Sequence, residues 1–208
     1  MTPHEKVPCD WYFSSIKKNL IQRYVHKRRF YEVGKIIEPK KKGLILDIGC
    51  ADGTFSTVLL GKTQAGKLIG IDTADGFINW AGRHWKKEKR MKFELGNAEK
   101  LNFKTKTFDA VFALEILEHV KSPGKVLREI KRVLKDDGYA ILLVPAESWL
   151  FRFIWFFWSR TRGRVWKETH IQSFKNNFLT RKCLEAGFKI DKDKKIIFKT
   201  LHLVKVRK

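Results

Sequence analysis

The residues able to do chemistry begin at Asp47-x-Gly49-x-Ala51-x-Gly53, followed by Thr54 and Phe55. Leu44, Ile45, Leu46 and Ile48 lead in as a nearly continuous apolar run, as in a strand covered on both faces. Glycines at 49 and 53 permit left-handed backbone and let a ligand come close to the main chain. Thr54 and Phe55 then open a helix whose free amides face the same crevice. The loop reads as a site for an adenine nucleotide or a related cofactor. It is one residue shorter than the G-x-G-x-x-G of dinucleotide sites, where amides and a helix dipole meet a pyrophosphate. It also carries acids at Asp47 and Asp52. Carboxylates repel a pyrophosphate but attract a cofactor bearing a sulfonium and an ammonium.

Asp72 closes a short apolar stretch, Lys67–Ile71, about 20 positions beyond Gly49. Nucleotide-binding βαβ units place a ribose-binding acid at that interval. A carboxylate accepts two hydroxyl hydrogen bonds at once, and its charge strengthens both. Asp72 is either that acid or a solvated strand end. Gly96-Asn97-Ala98-Glu99 follows a third apolar strand, Met91–Leu95. Asn97 can offer its carbonyl to an exocyclic amine, or simply make a turn, since Gly-Asn is turn chemistry.

Together these motifs resemble those of class I S-adenosylmethionine-dependent methyltransferases, whose first motif is usually D-x-G-x-G-x-G. Ala51 replaces the central glycine and adds one methyl group to the loop. The resemblance implies S-adenosyl-L-methionine as cofactor, with Asp47, Gly49, Cys50, Ala51 and Gly53 around its methionine end, Asp72 and Thr73 at the ribose, and Asn97 and Ala98 at the adenine. The run from Phe108 to Val120 resembles the F-D-x-V-x-x-x-x-x-L-E-H-V of the small-molecule, type 11-like branch. It implies that Leu114 and Glu115 pass beneath the methionine part of the cofactor. Methyl transfer is an in-line displacement at the sulfonium carbon, so the protein mainly aligns the reactants. An oxygen acceptor must also lose its proton, which suits a histidine. His170 is the first candidate base and His119 the second; either is equally readable as structural.

The elements that must hold these residues follow from alternating patterns. Trp11–Ile37 reads as a basic amphipathic helix, from which Tyr12, Tyr24 or Arg28 could cap the cofactor. Helices are expected over 53–61, 74–85 and 180–186, and strands over 107–114, 139–144, 188–190 and 200–206. Ser122 and Pro123 mark a helix start, as N-cap and first helical residue. Asp137-Gly138 is read as a turn, and the last two strands as a hairpin reached through Asp191-Lys192-Asp193. The expected fold is α/β: a Rossmann-like, doubly wound, mostly parallel seven-stranded sheet with an antiparallel C-terminal hairpin. One domain is expected, with a basic helical cap (1–42), a cofactor-binding core (43–145), an aromatic and basic lid (146–176), and a C-terminal helix and hairpin (177–208).

Trp149–Trp158 holds seven aromatics and one charge. It is too apolar to lie open to water and too short to span a bilayer. It reads as a lid over an apolar pocket, as an interfacial segment with Arg160, Arg162, Arg164 and Lys167 near lipid phosphates, or as core or dimer packing. The chain has 208 residues and a formal net charge of +22. That surplus implies a polyanionic neighbour, or a Lys-rich, heat-adapted composition. Three scattered cysteines make neither a disulfide framework nor a metal site, and the polar start resembles no signal peptide. The expectation is a cytoplasmic methyltransferase, peripheral to the inner face of the membrane, acting on a small-molecule or lipid-like acceptor with an anionic membrane surface against 149–167. The alternatives are an RNA methyltransferase and a non-catalytic cofactor-binding protein. Against base methylation, the segment after the fourth strand, Ala113-Leu114-Glu115-Ile116, lacks the Asn/Asp-Pro-Pro-aromatic grip used on a flipped base.

Overall fold

Leu44–Ile48 forms strand β1, and its burial on both faces explains its unbroken apolar run. In this computed structural model, which describes residues 7–146, 160, 172 and 177–208, β1 is an interior strand of the sheet, next to the central β4. It pairs in parallel with β2 (Lys67–Asp72) on one side and β4 (Phe108–Leu114) on the other. β3 (Met91–Leu95) extends the sheet beyond β2, and β5 (Leu134–Pro145) beyond β4, both parallel. β7 (Leu201–Arg207) pairs antiparallel with β5, and β6 (Lys189–Ile196) antiparallel with β7. The order is β3-β2-β1-β4-β5-β7-β6. The expected mostly parallel seven-stranded sheet with a C-terminal antiparallel hairpin is what the chain forms.

Helices α1 (Trp11–Lys18), α2 (Leu20–Gly34), α3 (Thr54–Thr63), α4 (Asp75–His84), α5 (Pro123–Val133) and α6 (Phe178–Glu185), with a 3₁₀ turn at Leu117–His119, complete the described elements. The sheet carries an apolar core on each face. One joins Leu46, Val111 and Leu142 to Leu127 and Ile130 of α5 and Leu179 of α6. The other joins Ile45, Phe112 and Ile141 to Val33 of α2 and Leu59 of α3. Reversal of strand order between β1 and β4 opens a crevice at their carboxyl ends, where such sheets bind ligands.

Several boundaries differ from the sequence reading, each for a local reason. The N-terminal helix is two helices. Asn19 leaves helical geometry at φ −131°, ψ 115°, and its Oδ1 accepts the Ile21 and Gln22 amides at 3.0 and 3.1 Å, capping α2. Asp137 and Gly138 lie inside β5, where the register with β4 shifts between Phe108 and Ala110. A Cβ at Gly138 would stand 2.9 Å from the Leu134 side chain and 3.1 Å from the Asp109 carbonyl, so only glycine fits this irregularity. Asp191–Asp193 belong to β6, and the hairpin turns instead at Ile197, Phe198 and Lys199, all at positive φ. Pro123 does begin α5, but the Ser122 side chain makes no cap; its amide donates to Glu99 at 2.9 Å.

Candidate cofactor site

The loop after β1 is bonded to the tip of β2. The Gly49 and Cys50 amides both donate to the Ile71 carbonyl, at 2.8 and 3.0 Å. The Ala51 amide donates to Asp72 Oδ2 at 3.1 Å, and the Ala74 amide to its Oδ1 at 3.0 Å. Gly49 and Gly53 sit at φ 73° and 72°, and Ala51 at 46°. Left-handed backbone at Ala51 costs about 1–2 kcal/mol, which explains why glycine is the usual residue in the motif it resembles. Gly53 is obligatory for a second reason. A Cβ there would lie 2.7 Å from the Phe93 ring and 2.9 Å from Trp85.

The cleft above this loop takes its floor from Asp47, Gly49, Cys50, Ala51 and Asp52, with Phe55 and Leu114 beside them. Its roof comes from the N-terminal helices: Tyr12 of α1, and Arg29 and Phe30 of α2. Phe30 and Phe55 meet with ring centroids 4.3 Å apart. Asp47 is 3% exposed and accepts a hydrogen bond from Ser56 Oγ at 2.6 Å. Burial, with Asp72 adding like-charge repulsion, raises its pKa to about 7. Asp52 acts as a clasp. It accepts the Thr54 amide at the start of α3 at 3.0 Å and the Phe13 amide of α1 at 2.8 Å, while its carbonyl accepts the Trp85 indole at 2.8 Å.

Arg29 is 7% exposed and pairs with Glu115, at the end of β4. Its Nε has no hydrogen-bond partner, nor does the buried Oγ1 of Thr54. Glu118, 1% exposed, stands close enough to interact electrostatically with Arg29 and keeps an unpartnered Oε2. Burial pushes its carboxyl up to about 8, although Arg29 opposes this.

Of the residues read from the sequence, the structure brings Asp47, Gly49, Cys50, Ala51 and Leu114 into the cleft wall. Glu115 reaches it through Arg29. Gly53 and Asp72 stand behind the loop and fix its shape. Thr73 is exposed, Ala98 is buried, and Asn97 is exposed with its Oδ1 accepting the Glu99 amide at 2.8 Å, so that carbonyl closes a turn. His119 is half-buried on the 3₁₀ turn Leu117–His119, away from the cleft wall. His170 and the 149–167 segment read as a lid and membrane contact lie outside the described residues, Arg160 alone excepted. Among the three suggested caps, Tyr12 lines the cleft, Tyr24 is 62% exposed, and Arg28 faces outward to Glu32 at 2.8 Å. Arg29, Phe30 and Glu118 were not singled out from the sequence, and Phe55 only as part of a helix start. Arg29 was within reach: His26, Arg29, Phe30 and Val33 recur at three and four residues, placing a cation on the inward face of a helix.

A parallel sheet whose first strand ends in this glycine loop, clasped to a carboxylate at the tip of the second, defines a doubly wound nucleotide-cofactor domain. Residues 46–142 match the family described as methyltransferase domain, and the fold is the one seen in S-adenosylmethionine-dependent methyltransferase structures. Ubiquinone biosynthesis O-methyltransferase of Azorhizobium caulinodans is 34% identical over 121 residues, 58% of this chain and 47% of that protein. The tRNA U34 carboxymethyltransferase of Pseudoalteromonas translucida is 30% identical over 147 residues, 64% of this chain and 45% of that protein. A SAM-dependent methyltransferase structure from Aquifex aeolicus superposes with TM-score 0.68 at 19% identity, covering 93% of this chain and 96% of that one. The chain spans about half the length of these curated relatives.

The cleft fits S-adenosylmethionine. Arg29 is the cation among the described lining residues, and its unpartnered Nε suits the methionine carboxylate. Asp47 lines the same cleft, where its ionised form would attract the ammonium and sulfonium of the cofactor.

Proposed function

We propose that this chain transfers a methyl group from S-adenosylmethionine to a small-molecule or lipid-like acceptor. When bound, the cofactor supplies an electrophilic methyl on a positively charged sulfur. The chain's own residues bind, orient and exclude water. The observation that carries the reading is a buried guanidinium, Arg29, and a buried carboxylate, Asp47, in one cleft at the glycine loop. That pattern matches an amino acid joined to a cation. Tyr12, Phe30, Phe55 and Leu114 surround it with apolar surface, which excludes water and favours an apolar acceptor over a sugar-phosphate. The relatives that act in ubiquinone biosynthesis and on malonyl-acyl carrier protein support this acceptor class. His170 remains the first candidate to take the proton of an oxygen acceptor, whereas His119 stands off the cleft wall.

A second reading is favoured by the net charge of +22 and the tRNA-modifying relative: a methyl transfer to RNA. One experiment separates these readings. The protein is incubated with methyl-labelled cofactor and a total cell extract, which is then divided into lipid, soluble and RNA fractions. Label in the lipid or soluble fraction supports the proposal, whereas label confined to RNA replaces it. Calorimetric binding of the cofactor with no transfer to any fraction supports a non-catalytic cofactor-binding protein.

A further inference from the structure

Helix α2 has two opposite faces of different character. The inward face holds His26, Arg29, Phe30 and Val33, with Arg29 and Phe30 roofing the cleft. The outward face holds Leu20, Ile21, Tyr24, Val25 and Tyr31, which at 100° per residue share one side of the cylinder. Leu20 is 76% exposed, Ile21 77%, Tyr24 62% and Tyr31 54%. A stripe of large apolar side chains this open on one short helix is not the scatter of single exposed residues found on any protein surface. Exposed cations flank and interrupt it: Lys17 and Lys18 at the end of α1 and Lys27 at its edge, with Arg28 and Lys35 on the same face. Lys35 and Arg28 both lie against the Tyr31 ring, at 4.2 and 5.3 Å, so their charges stand beside apolar surface. Glu32 is the single acid between residues 11 and 35.

We propose that the outward face of α2, with the end of α1, docks on an anionic lipid surface. The combination fits a bilayer interface: aliphatic tips enter the acyl boundary, tyrosines sit at headgroup depth, and lysines reach back to the phosphates. Nucleic acid would use the same cations but has nothing to receive Leu20, Ile21 and Val25, since backbone recognition is carried by cations, hydrogen-bond donors and stacking rings. Among the described residues no helix is long and apolar enough to cross a membrane. The docked helix would form a wall between the bilayer and the cleft, with Arg29 and Phe30 on its far side. The inference concerns residues outside the cleft wall and does not rest on methyl transfer.

The test is co-sedimentation of the full chain with vesicles of phosphatidylcholine alone or of phosphatidylcholine with phosphatidylglycerol, at low and high salt. Three variants are compared: Ile21→Asp, Leu20→Asp, and Lys17→Gln combined with Lys18→Gln. The expected result is sedimentation with the anionic vesicles only, weakened by salt, and reduced about tenfold by either aspartate and severalfold by the double lysine variant. Cofactor binding by calorimetry and the thermal midpoint should stay at the wild-type values. No sedimentation, or sedimentation indifferent to Ile21→Asp, overturns the proposal. Loss of sedimentation together with a large fall in thermal midpoint also overturns it, because the face is then packed within the chain. So does binding to total tRNA that Ile21→Asp weakens while vesicle binding stays, or a wild-type dimer that Ile21→Asp dissociates without vesicle binding.

Discussion

Asp47 joins the ionisation of the protein to its cofactor chemistry. Its carboxyl is raised from the ordinary 3.8 to about 7, so the folded chain holds this proton longer than the unfolded chain. The sign follows. Asp47 contributes most favourably to stability in its protonated form, and that contribution falls as pH rises from about 4 to about 7. A positively charged ligand prefers the ionised form. Affinity for S-adenosylmethionine should therefore rise with pH, about tenfold per unit below 7, and level off above it. Calorimetry near pH 6 in buffers of different ionisation enthalpy should show proton release on binding. Asp47→Asn should bind weakly and lose both the slope and the proton release. A wild-type affinity that is flat with pH would refute this role.

Arg29 invites a complementary substitution. Arg29→Ala removes a charged donor and leaves Glu115, with Glu118 nearby, short of a cation. A charge-assisted hydrogen bond of about 1.5–3 kcal/mol predicts a loss of roughly 10–100-fold in affinity for the cofactor. 5′-Methylthioadenosine lacks the amino-acid end, so its affinity should change little. Arg29→Lys should recover part of the loss, since it restores the charge but not the fork. Equal weakening of both ligands would show that Arg29 merely supports the fold.

At the scale of elements, Asp52 is the clasp between the N-terminal roof and the glycine loop. Its carboxylate holds Phe13 of α1 and Thr54 of α3 at once. Asp52→Ala should loosen α1, at about 1–3 kcal/mol. Hydrogen exchange should rise over residues 11–18 and stay low in β1 and β4, while a uniform rise would mean global destabilisation instead. The clasp also shows which features the sequence exposes. The β1 loop, β3, the start of α5 and the mostly parallel character of the sheet were legible, because apolar periodicity and glycine spacing are local signals. Asn19 was hidden inside an unbroken helical pattern, although asparagine is a strong N-cap. The turn at Ile197–Lys199 was illegible for a physical reason: a β-branched and an aromatic residue take positive φ there, against their preferences. Asp191-Lys192-Asp193 has turn composition yet pairs as strand, held by Lys205 against Asp191 at 3.2 Å and by Thr180 against Asp193 at 2.5 Å. Spacing places Arg29 on the inward face of its helix and Asp52 in the glycine loop, but the pairing of Arg29 with Glu115 and the clasp from Asp52 to Phe13 arise only when distant segments meet.

At the scale of the whole molecule, a protein with net charge +22 buries a lysine. Lys205 of β7 is 3% exposed and pairs with Glu38, just before β1, and with Asp191 of β6; Arg207 joins both. The Tyr139 hydroxyl of β5 donates to the Glu38 carbonyl at 2.7 Å, closing a polar knot between the start of the core and its last strand. Removing one partner of a buried pair leaves a charge without compensation, whereas replacing the charge with an apolar group of similar size is close to neutral. Glu38→Ala should thus destabilise by about 1–3 kcal/mol, moderated because Asp191 remains and the Glu38 side chain is 40% exposed. Lys205→Met should cost less than Glu38→Ala. Glu38 and Asp191 both have lowered pKa values: desolvation opposes the shift, but hydrogen bonding and attraction from Lys205 and Arg207 outweigh it. Their stabilisation is therefore present above the ordinary carboxylate range and lost as pH falls through the lowered values. Acid titration of the wild type and of Glu38→Ala should differ least at the most acidic end, where wild-type Glu38 is itself protonated. Thermal midpoints measured across that range check the prediction, and it fails if Lys205→Met proves the more damaging change at neutral pH.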